Sequence, residues 1–258
     1  MGDAVESTRI DVAPLGHEIT FVTWKWQGTD PHRTFLSAHV NVLRAMLARH
    51  YHAPHRLLCI TDDARGLDPC IEVLPLPLTK ADALTSPHST LSKVFPACYR
   101  RLWLFSEEAA TLLPGRIGLL DIDVVILSDI TALLQSKTAD FVGWCCPEFG
   151  WSKVAGGFWM HTPGTRTDVW ETFDPARSPA LAYAQGLRGS DQSWLSYMLY
   201  PCKETITARD GVVKIGWLRK SGHVPPHGTK MIFLSGVAPP WDPAVQRGQS
   251  WITEHWRL

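Results

Sequence analysis

The sequence predicts an α/β protein in which a mixed, mostly parallel sheet carries helices on both faces. The first observation is the order of segments near the start of the chain: a strand-like stretch, a helical pattern, and a second strand-like stretch. This order favours a parallel sheet with crossover helices. The second observation is the length, because 258 residues without a linker-like segment fit one domain, 1–258, better than two.

Short apolar segments separated by turn residues mark the expected strands along the whole chain. They are rich in β-branched and aromatic side chains and are bounded by Gly, Pro, Asp or Ser. The predicted strands are 19–26, 56–61, 71–76, 118–127, 140–146, 157–161, 212–217 and 230–234.

Helical periodicity predicts the first helix at 35–51, where leucine and valine residues between positions 36 and 47 recur every three or four residues. Ser106 is expected to cap a short helix that ends before Pro114. The remaining helices are predicted at 99–105, 130–135 and 190–199, and residues 77–97 are predicted to be irregular.

Composition argues against several classes of function. The chain has 25 basic and 25 acidic residues, a formal net charge of +0, so no basic surface for nucleic acid is expected. The beginning of the sequence lacks the apolar region of a secretory signal, and no apolar run reaches membrane-spanning length. The 6 cysteines show no CxxC spacing and favour a reduced, cytoplasmic setting.

Two aspartates, Asp121 and Asp123, interrupt the apolar segment GLLDIDVVIL at 118–127. On a continuous strand they would point to the same face, and burying two unpaired carboxylates costs several kcal/mol each, roughly. A divalent cation would neutralise them and could hold a diphosphate group at the carboxyl end of the strand. Two other interpretations stay open: one Asp caps a turn while the other pairs with an arginine, or the motif belongs to a phosphohydrolase with an Asp nucleophile.

The ordered set of motifs resembles GT-A-fold glycosyltransferases of the glycogenin and lipopolysaccharide-galactosyltransferase type, including a group of bacterial glycosyltransferase-like proteins. The resemblance covers roughly residues 21–256. The matching segments are FVTWKW from Phe21, Asn41 in HVNVL, CITDDARGLDP from Cys59, YRRLWLF from Tyr99, LLDIDVVIL, DFVGW from Asp140, GGFWM from Gly156, GSDQSWL from Gly189, FLSGVAPPW from Phe233 and the closing WITEHW.

This resemblance implies transfer of a sugar from a nucleotide-sugar donor, such as a UDP-sugar, to a hydroxyl of a carbohydrate or other acceptor. It implies a nucleotide-sugar half at 18–130 and an acceptor half at 131–258. Thr23, Trp24 and Asp62 would hold the nucleoside, although Trp24 could equally be a core residue and Asp62 a turn cap.

The resemblance also assigns the catalytic side of the site. Arg101 would contact the donor phosphates, with a surface ion pair as its alternative role. The triplet Asp121, Ile122 and Asp123 would form the DxD motif that binds metal and donor. Gly156 and Gly157 would line the donor sugar, or form a simple bulge, because small residues let a ligand approach the backbone. Asp191 and Gln192 would contact sugar hydroxyls, with helix capping as the alternative for Asp191.

The chain departs from the resembling proteins in the segment FLSGVAPPW. Ser235 stands where they have a histidine as the third protein ligand of the metal, and Pro239 stands where they have a diphosphate-binding lysine. A hydroxyl is a poorer ligand than imidazole for Mn²⁺, so the expected cofactor is Mn²⁺ or Mg²⁺, with His223 or His227 as further candidate ligands. The alternative functions are a catalytically inactive nucleotide-sugar-binding protein and a DxD phosphohydrolase.

Overall fold

Apolar segments form ten strands in the computed structural model, which describes residues 18–27, 35–84, 96–146, 150–234 and 239–258. The strands are β1 (Ile19–Lys25), β2 (His55–Thr61), β3 (Glu72–Pro75), β4 (Arg116–Leu120), β5 (Val124–Ile126), β6 (Phe141–Trp144), β7 (Phe158–His161), β8 (Glu204–Ile206), β9 (Val212–Lys214) and β10 (Met231–Phe233).

Seven strands form the main sheet, in the spatial order β3-β2-β1-β4-β7-β6-β8. Neighbouring strands are parallel except at β7, which runs antiparallel to both β4 and β6. The sheet is therefore mixed and mostly parallel, which confirms the predicted class. Because β7 runs in the reverse direction, its first residues lie at the edge of the sheet where the other strands end.

A second, three-stranded sheet has the order β5-β10-β9 and corrects one prediction. The segment 118–127 is not one strand: β4 ends at Leu120 and β5 begins at Val124 in the other sheet. Asp121 and Asp123 therefore lie in the turn between two strands, and the argument that strand alternation puts them on one face was wrong. Continuous apolar composition hid this change of sheet, because β4 is buried from Ile117 to Leu120 and β5 is buried throughout.

Eight α-helices accompany the strands in the described ranges, together with 3₁₀ segments at Lys80–Ala83, Pro96–Phe105, Ala208–Asp210 and Ile215–Ser221. The α-helices are α1 (Ser37–His50), α2 (Glu107–Leu112), α3 (Thr131–Gln135), α4 (Asp168–Glu171), α5 (Ser178–Ala184), α6 (Asp191–Leu199), α7 (Pro243–Gly248) and α8 (Ser250–His255). Ser106 caps α2 as expected, by accepting a hydrogen bond from the Ala109 N–H.

Two hydrophobic cores lie on the two faces of the main sheet, since side chains alternate along each strand. One core contains the buried side of α1, the small sheet and α8. The other contains the 3₁₀ segment Pro96–Phe105 with α2, α4 and α6. Helices thus cover both faces, as predicted.

Several local predictions differ from the structure. The strand expected at 212–217 ends at Lys214, where a 3₁₀ segment begins, and the strand expected at 140–146 ends at Trp144. The segment expected to be irregular contains the 3₁₀ turn Lys80–Ala83. The sequence patterns missed β8, α4, α5, α7 and α8, which are between three and seven residues long and too short to show a clear period.

Candidate active site

Three chain segments with predicted site residues meet at one edge of the main sheet. Asp62 follows β2, Asp121 follows β4, and Gly156 and Gly157 precede the antiparallel strand β7. The Asp121 N–H donates to the Gly157 carbonyl at 2.9 Å, which joins two of these segments directly. Carboxyl ends of parallel strands form the usual ligand-binding edge of an open α/β sheet.

Arg101 is at the centre of this edge. Its Nε donates to Oδ2 of Asp191 at 2.8 Å, and its Nη2 lies 2.7 Å from the same oxygen. Its Nη1 donates to Oδ1 of Asp121. One guanidinium thus joins the end of β4 to the first residue of α6, using the fan of donors that distinguishes arginine from lysine.

Packing fixes both the backbone and the guanidinium group of Arg101. It lies on the 3₁₀ segment Pro96–Phe105, and the guanidinium carbon is 5.8 Å from the ring centroid of Trp159 on β7. Its side chain is 9% exposed and that of Asp191 is 1% exposed, so the pair is shielded from water. Burial alone would lower the pKa of Arg101, but Asp121 and Asp191 outweigh it and hold that pKa well above its ordinary value.

The two aspartates of the turn after β4 influence each other. Burial, with Asp121 as the second cause, raises the pKa of Asp123 well above its ordinary range. Partial burial and Asp191 raise the pKa of Asp121, while Arg101 opposes this rise. When ionised, the three carboxylates face a single guanidinium, so this group of four side chains has an excess of two negative charges. A divalent cation has the charge that would balance it.

Gly156 and Gly157 bring backbone into contact with this charged group. A Cβ at Gly156 would lie 3.0 Å from Nη2 of Arg101 and 3.1 Å from Oδ1 of Asp191. A Cβ at Gly157 would lie 3.2 Å from Oδ2 of Asp121 and 3.0 Å from the Phe233 ring. A side chain at either position would displace the charged groups, so the absence of Cβ has a packing reason at this edge.

The start of α6 adds two predicted residues to the same place. Asp191 is the first residue of α6, and its carboxylate binds Arg101 and accepts from the Ser190 hydroxyl at 3.1 Å. Ser190, the residue before the helix, makes no side-chain hydrogen bond that caps it. Oε1 of Gln192 is 3.5 Å from the Gly156 nitrogen. Asp191 and Gln192 therefore lie against the glycine pair.

The described residues supply only part of a possible metal site. Asp121 and Asp123 offer carboxylate oxygens, the ligand type that suits Mg²⁺ and Mn²⁺. The described ranges contain no group of three His, Cys, Asp or Glu side chains able to hold a metal, so neither His223 nor His227 completes a set there. Ser235 lies outside the described residues. The carboxylate pair thus fits a divalent cation as a two-residue part of a site.

The residues expected at the nucleoside end have different surroundings. Asp62 is exposed and accepts a hydrogen bond from the Gln27 N–H at 3.0 Å. The Thr23 hydroxyl is buried and donates to the Leu120 carbonyl at 2.9 Å, which ties β1 to the end of β4. Trp24 is 5% exposed and packs edge-on against Trp26 and Trp103, so its ring has the core position that was the alternative prediction. Ile122 is 2% exposed, so its side chain belongs to the core and not to the surface of the site.

Sequence reasoning missed two residues beside the charged group. Burial raises the pKa of the Cys98 thiol to about 11, and the thiol lies within the electrostatic influence of Arg101, Asp191 and Asp121. Lys214, at the end of β9, lowers the pKa of both Asp121 and Asp123 by its positive charge. Lys214 has no motif around it and comes close through tertiary packing, whereas Cys98 directly precedes the YRRLWLF motif and lies on the same 3₁₀ segment as Arg101.

The mixed sheet, with charged side chains at its ligand-binding edge, corresponds to a GT-A-type fold. The comparison with solved structures agrees. A crystal structure of galactosyltransferase LgtC with donor and acceptor sugar analogs matches with a TM-score of 0.57 and 12% identity, covering 94% of this chain and 97% of that chain. An active-site mutant of LgtC matches with a TM-score of 0.58 and 14% identity, over the same 94% and 97%. The resemblance inferred from the motifs is thus confirmed at the level of the fold.

The other comparisons gave no further relatives: no protein-family model matches the chain, and no curated protein matches it. Within the described ranges, the helices are all too short or too polar to cross a lipid bilayer.

Proposed function

We propose that this protein is a glycosyltransferase that moves a sugar from a nucleotide-sugar donor, a UDP-sugar, to a hydroxyl of a carbohydrate or similar acceptor. The observation that carries the proposal is the joining of Asp121 and Asp191 by Arg101 against Gly156 and Gly157. This group lies at the ligand-binding edge of a fold that is similar to LgtC, whose structure holds donor and acceptor sugar analogs.

In the proposed reaction the bond between the anomeric carbon and the diphosphate oxygen breaks and leaves its electron pair on the diphosphate. An acceptor hydroxyl bonds to that carbon and gives its proton to the departing diphosphate or to water. Negative charge develops on the departing diphosphate. Groups that already point at this charge stabilise the transition state without reorganising, which is the largest catalytic contribution in many enzymes. A divalent cation held by Asp121 and Asp123 would offset part of that charge.

Arg101 has two roles in this proposal. Its guanidinium faces the donor phosphates, and it fixes the direction of the Asp191 carboxylate through Nε and Nη2. Because Asp191 is buried and Arg101 holds it, its second oxygen, Oδ1, keeps a set direction toward Gly156. A carboxylate that is oriented in this way can accept hydrogen bonds from sugar hydroxyls.

The donor sugar would lie over the glycine pair, with Gln192 within reach of its hydroxyl groups. The Asp62 carboxylate, exposed at the end of β2, is the best-placed described group for the nucleoside. The buried Thr23 hydroxyl supports the site indirectly, because it fixes the end of β4 from which Asp121 follows.

The proposal is tested by calorimetric titration of UDP into the purified protein with Mn²⁺, with Mg²⁺ and with a chelator. The same titrations are made with Asp121→Ala/Asp123→Ala and with Asp140→Ala. Asp140 is the matched control, since it is an exposed aspartate that precedes β6 and so lies at the opposite edge of the sheet.

We expect UDP binding that depends on the metal, is lost in the double variant and persists in Asp140→Ala. A UDP affinity that is the same with and without metal, and the same in the double variant as in the wild type, would contradict a metal-assisted site. Absence of binding by UDP and by other nucleotides would overturn the transferase proposal.

A second assay separates the alternatives once a donor binds. Incubation with a donor-sugar panel and candidate acceptors should release UDP in a transferase. Donor binding without turnover or hydrolysis would indicate an inactive nucleotide-sugar-binding protein. Phosphate release from simple phosphate esters would indicate the phosphohydrolase.

A further inference from the structure

Lys214 lies in the same row of the small sheet as the residue that follows the DxD motif. Phe233 of β10 pairs with Val124 of β5 on one side and with Lys214 of β9 on the other. Val124 follows Asp123 directly, so this row leads from the aspartate turn to Lys214. Adjacent strands are about 4.8 Å apart, which puts Val124 and Lys214 roughly 10 Å apart across the sheet, with both side chains on the same face as that of Phe233.

Two tryptophan rings direct the Lys214 side chain. Its Nζ is 5.9 Å from the ring centroid of Trp144 on β6 and 5.6 Å from that of Trp151. Trp144 in turn contacts the Phe233 ring, with centroids 4.2 Å apart. Ammonium groups are attracted to indole faces at such distances, so the amine has a preferred location beside Trp144, whose neighbour Phe233 packs against the Gly157 position.

Lys214 and Arg101 lie on opposite faces of the main sheet. Arg101 is set against Trp159, which belongs to the core on one face, and Lys214 against Trp144, which belongs to the core on the other. The Lys214 side chain lies beside that of its cross-strand neighbour Phe233, and the Phe233 ring packs against the Gly157 position, which adjoins Oδ2 of Asp121.

The charge of Arg101 is already shared between two carboxylates. A bound diphosphate would bring further negative charge to this edge, and a cationic side chain in addition to Arg101 and the proposed metal ion would help to offset it. Lys214 lies one strand away from Phe233, whose ring packs against the Gly157 position, so its ammonium group is a cation beside this edge.

We propose that Lys214 binds the diphosphate of the donor through its ammonium group, from the side opposite Arg101. This inference rests on the proposed function, since it assigns one contact of the same nucleotide-sugar site. A lysine ammonium binds phosphate oxygens as a compact charge, so the contact should depend on charge more than on geometry.

The test compares UDP with uridine, which lacks the diphosphate, by calorimetric titration in the presence of Mn²⁺. The variants are Lys214→Met, Lys214→Gln and Lys214→Arg, with Lys203→Met as the control for the loss of one positive charge at an exposed lysine. Thermal melting of each variant checks that it is folded, and the less apolar Lys214→Gln replaces Lys214→Met if that variant does not fold.

We expect Lys214→Met and Lys214→Gln to weaken UDP binding by about tenfold to a hundredfold, the usual effect of a lost charged hydrogen bond. Uridine binding should stay unchanged, Lys214→Arg should keep most of the UDP affinity, and Lys203→Met should equal the wild type.

Two outcomes would overturn this inference alone: UDP affinity within twofold of the wild type in both neutral variants, or an equal loss for UDP and uridine. A wild-type protein that binds no UDP would instead overturn the proposed function and this inference with it.

Discussion

Nε of Arg101 donates to Oδ2 of Asp191 at 2.8 Å, although 90 positions separate the two residues in the chain. The pair is buried, and the same guanidinium also holds Asp121. A buried ion pair of this kind is expensive to break from one side, because the partner is left as an uncompensated charge. Arg101 is therefore expected to matter both for stability and for the geometry of the site.

The first prediction is that Arg101→Met lowers the free energy of unfolding by about 3–5 kcal/mol, the usual cost of removing one partner of a buried pair. Urea unfolding at pH 7 measures it. Arg100→Met is the matched control, since Arg100 pairs with Asp82 at a more exposed place and should cost clearly less. The double variant Arg101→Met/Asp191→Asn should recover part of the loss, because the buried charge of Asp191 is gone while that of Asp121 remains; no recovery would contradict the coupling of Arg101 and Asp191.

The second prediction concerns the glycine that touches this pair. In Gly156→Ala the new methyl group would be 3.0 Å from Nη2 of Arg101 and 3.1 Å from Oδ1 of Asp191, so the two groups must move by a few tenths of an ångström. We expect glycosyl transfer to fall by about tenfold or more, since small misplacements of oriented groups are costly. Gly150→Ala is the control, because a Cβ there meets no atom within 4 Å. Equal rates in the two variants would show that the contact is not needed for activity.

The third prediction separates packing from ligand binding at Trp24. The ring is buried between Trp26 and Trp103, and its Nε1 has no hydrogen-bond partner. Trp24→Phe loses apolar contact, which lowers stability. It also removes a buried N–H without a partner, and such a group destabilises the folded state by about 1–3 kcal/mol. The two effects oppose each other, so the net change in stability should be small. UDP affinity should stay within twofold in calorimetric titration. A large loss of UDP affinity in a variant that melts normally would restore the role of Trp24 as a base platform.

The sequence predicted the course of the main sheet better than the aspartate turn. Apolar segments with clear boundaries, such as β1 and β2, have one sheet to join, and their pattern is sufficient. The segment around Asp121 is apolar on both sides because it belongs to two sheets in turn, and composition cannot show where the chain crosses from one to the other. The crossing is visible only in the strand pairing. β4 pairs in parallel with β1 of the main sheet, and β5 pairs antiparallel with β10 of the small sheet.

The candidate site was predictable where an ordered motif marked it and not where packing alone makes it. Arg101 and Asp191 were named from their motifs, but neither motif states that the two side chains meet. Lys214 has no motif, because its neighbours come from β6, β10 and the segment before β7. Trp24 shows the same limit, because the residue type alone does not distinguish a tryptophan in the core from one that binds a ligand.

Two buried histidines make stability depend on pH. Burial lowers the pKa of His39 from 6.5 to about 4; its Nδ1 accepts from the Leu36 N–H, and its ring stacks on Trp241. Burial also lowers the pKa of His161 from 6.5 to about 4; its ring stacks on Phe105, and its Nε2 is 3.0 Å from the Leu104 carbonyl oxygen. Both side chains are therefore neutral in the folded protein at pH values where the unfolded chain already takes up protons.

The last prediction is that the free energy of unfolding falls as the pH is lowered from 6.5 toward 4, the window between the ordinary and the folded pKa of both histidines. In that window the unfolded state binds more protons than the folded state, so each histidine contributes a slope of about 1.4 kcal/mol per pH unit at most. Urea unfolding at intervals of half a pH unit measures the slope. His161→Phe keeps the stack on Phe105, loses the hydrogen bond to Leu104, and should show a shallower slope whatever its absolute stability. Parallel curves for the variant and the wild type would mean that His161 takes up its proton equally in both states.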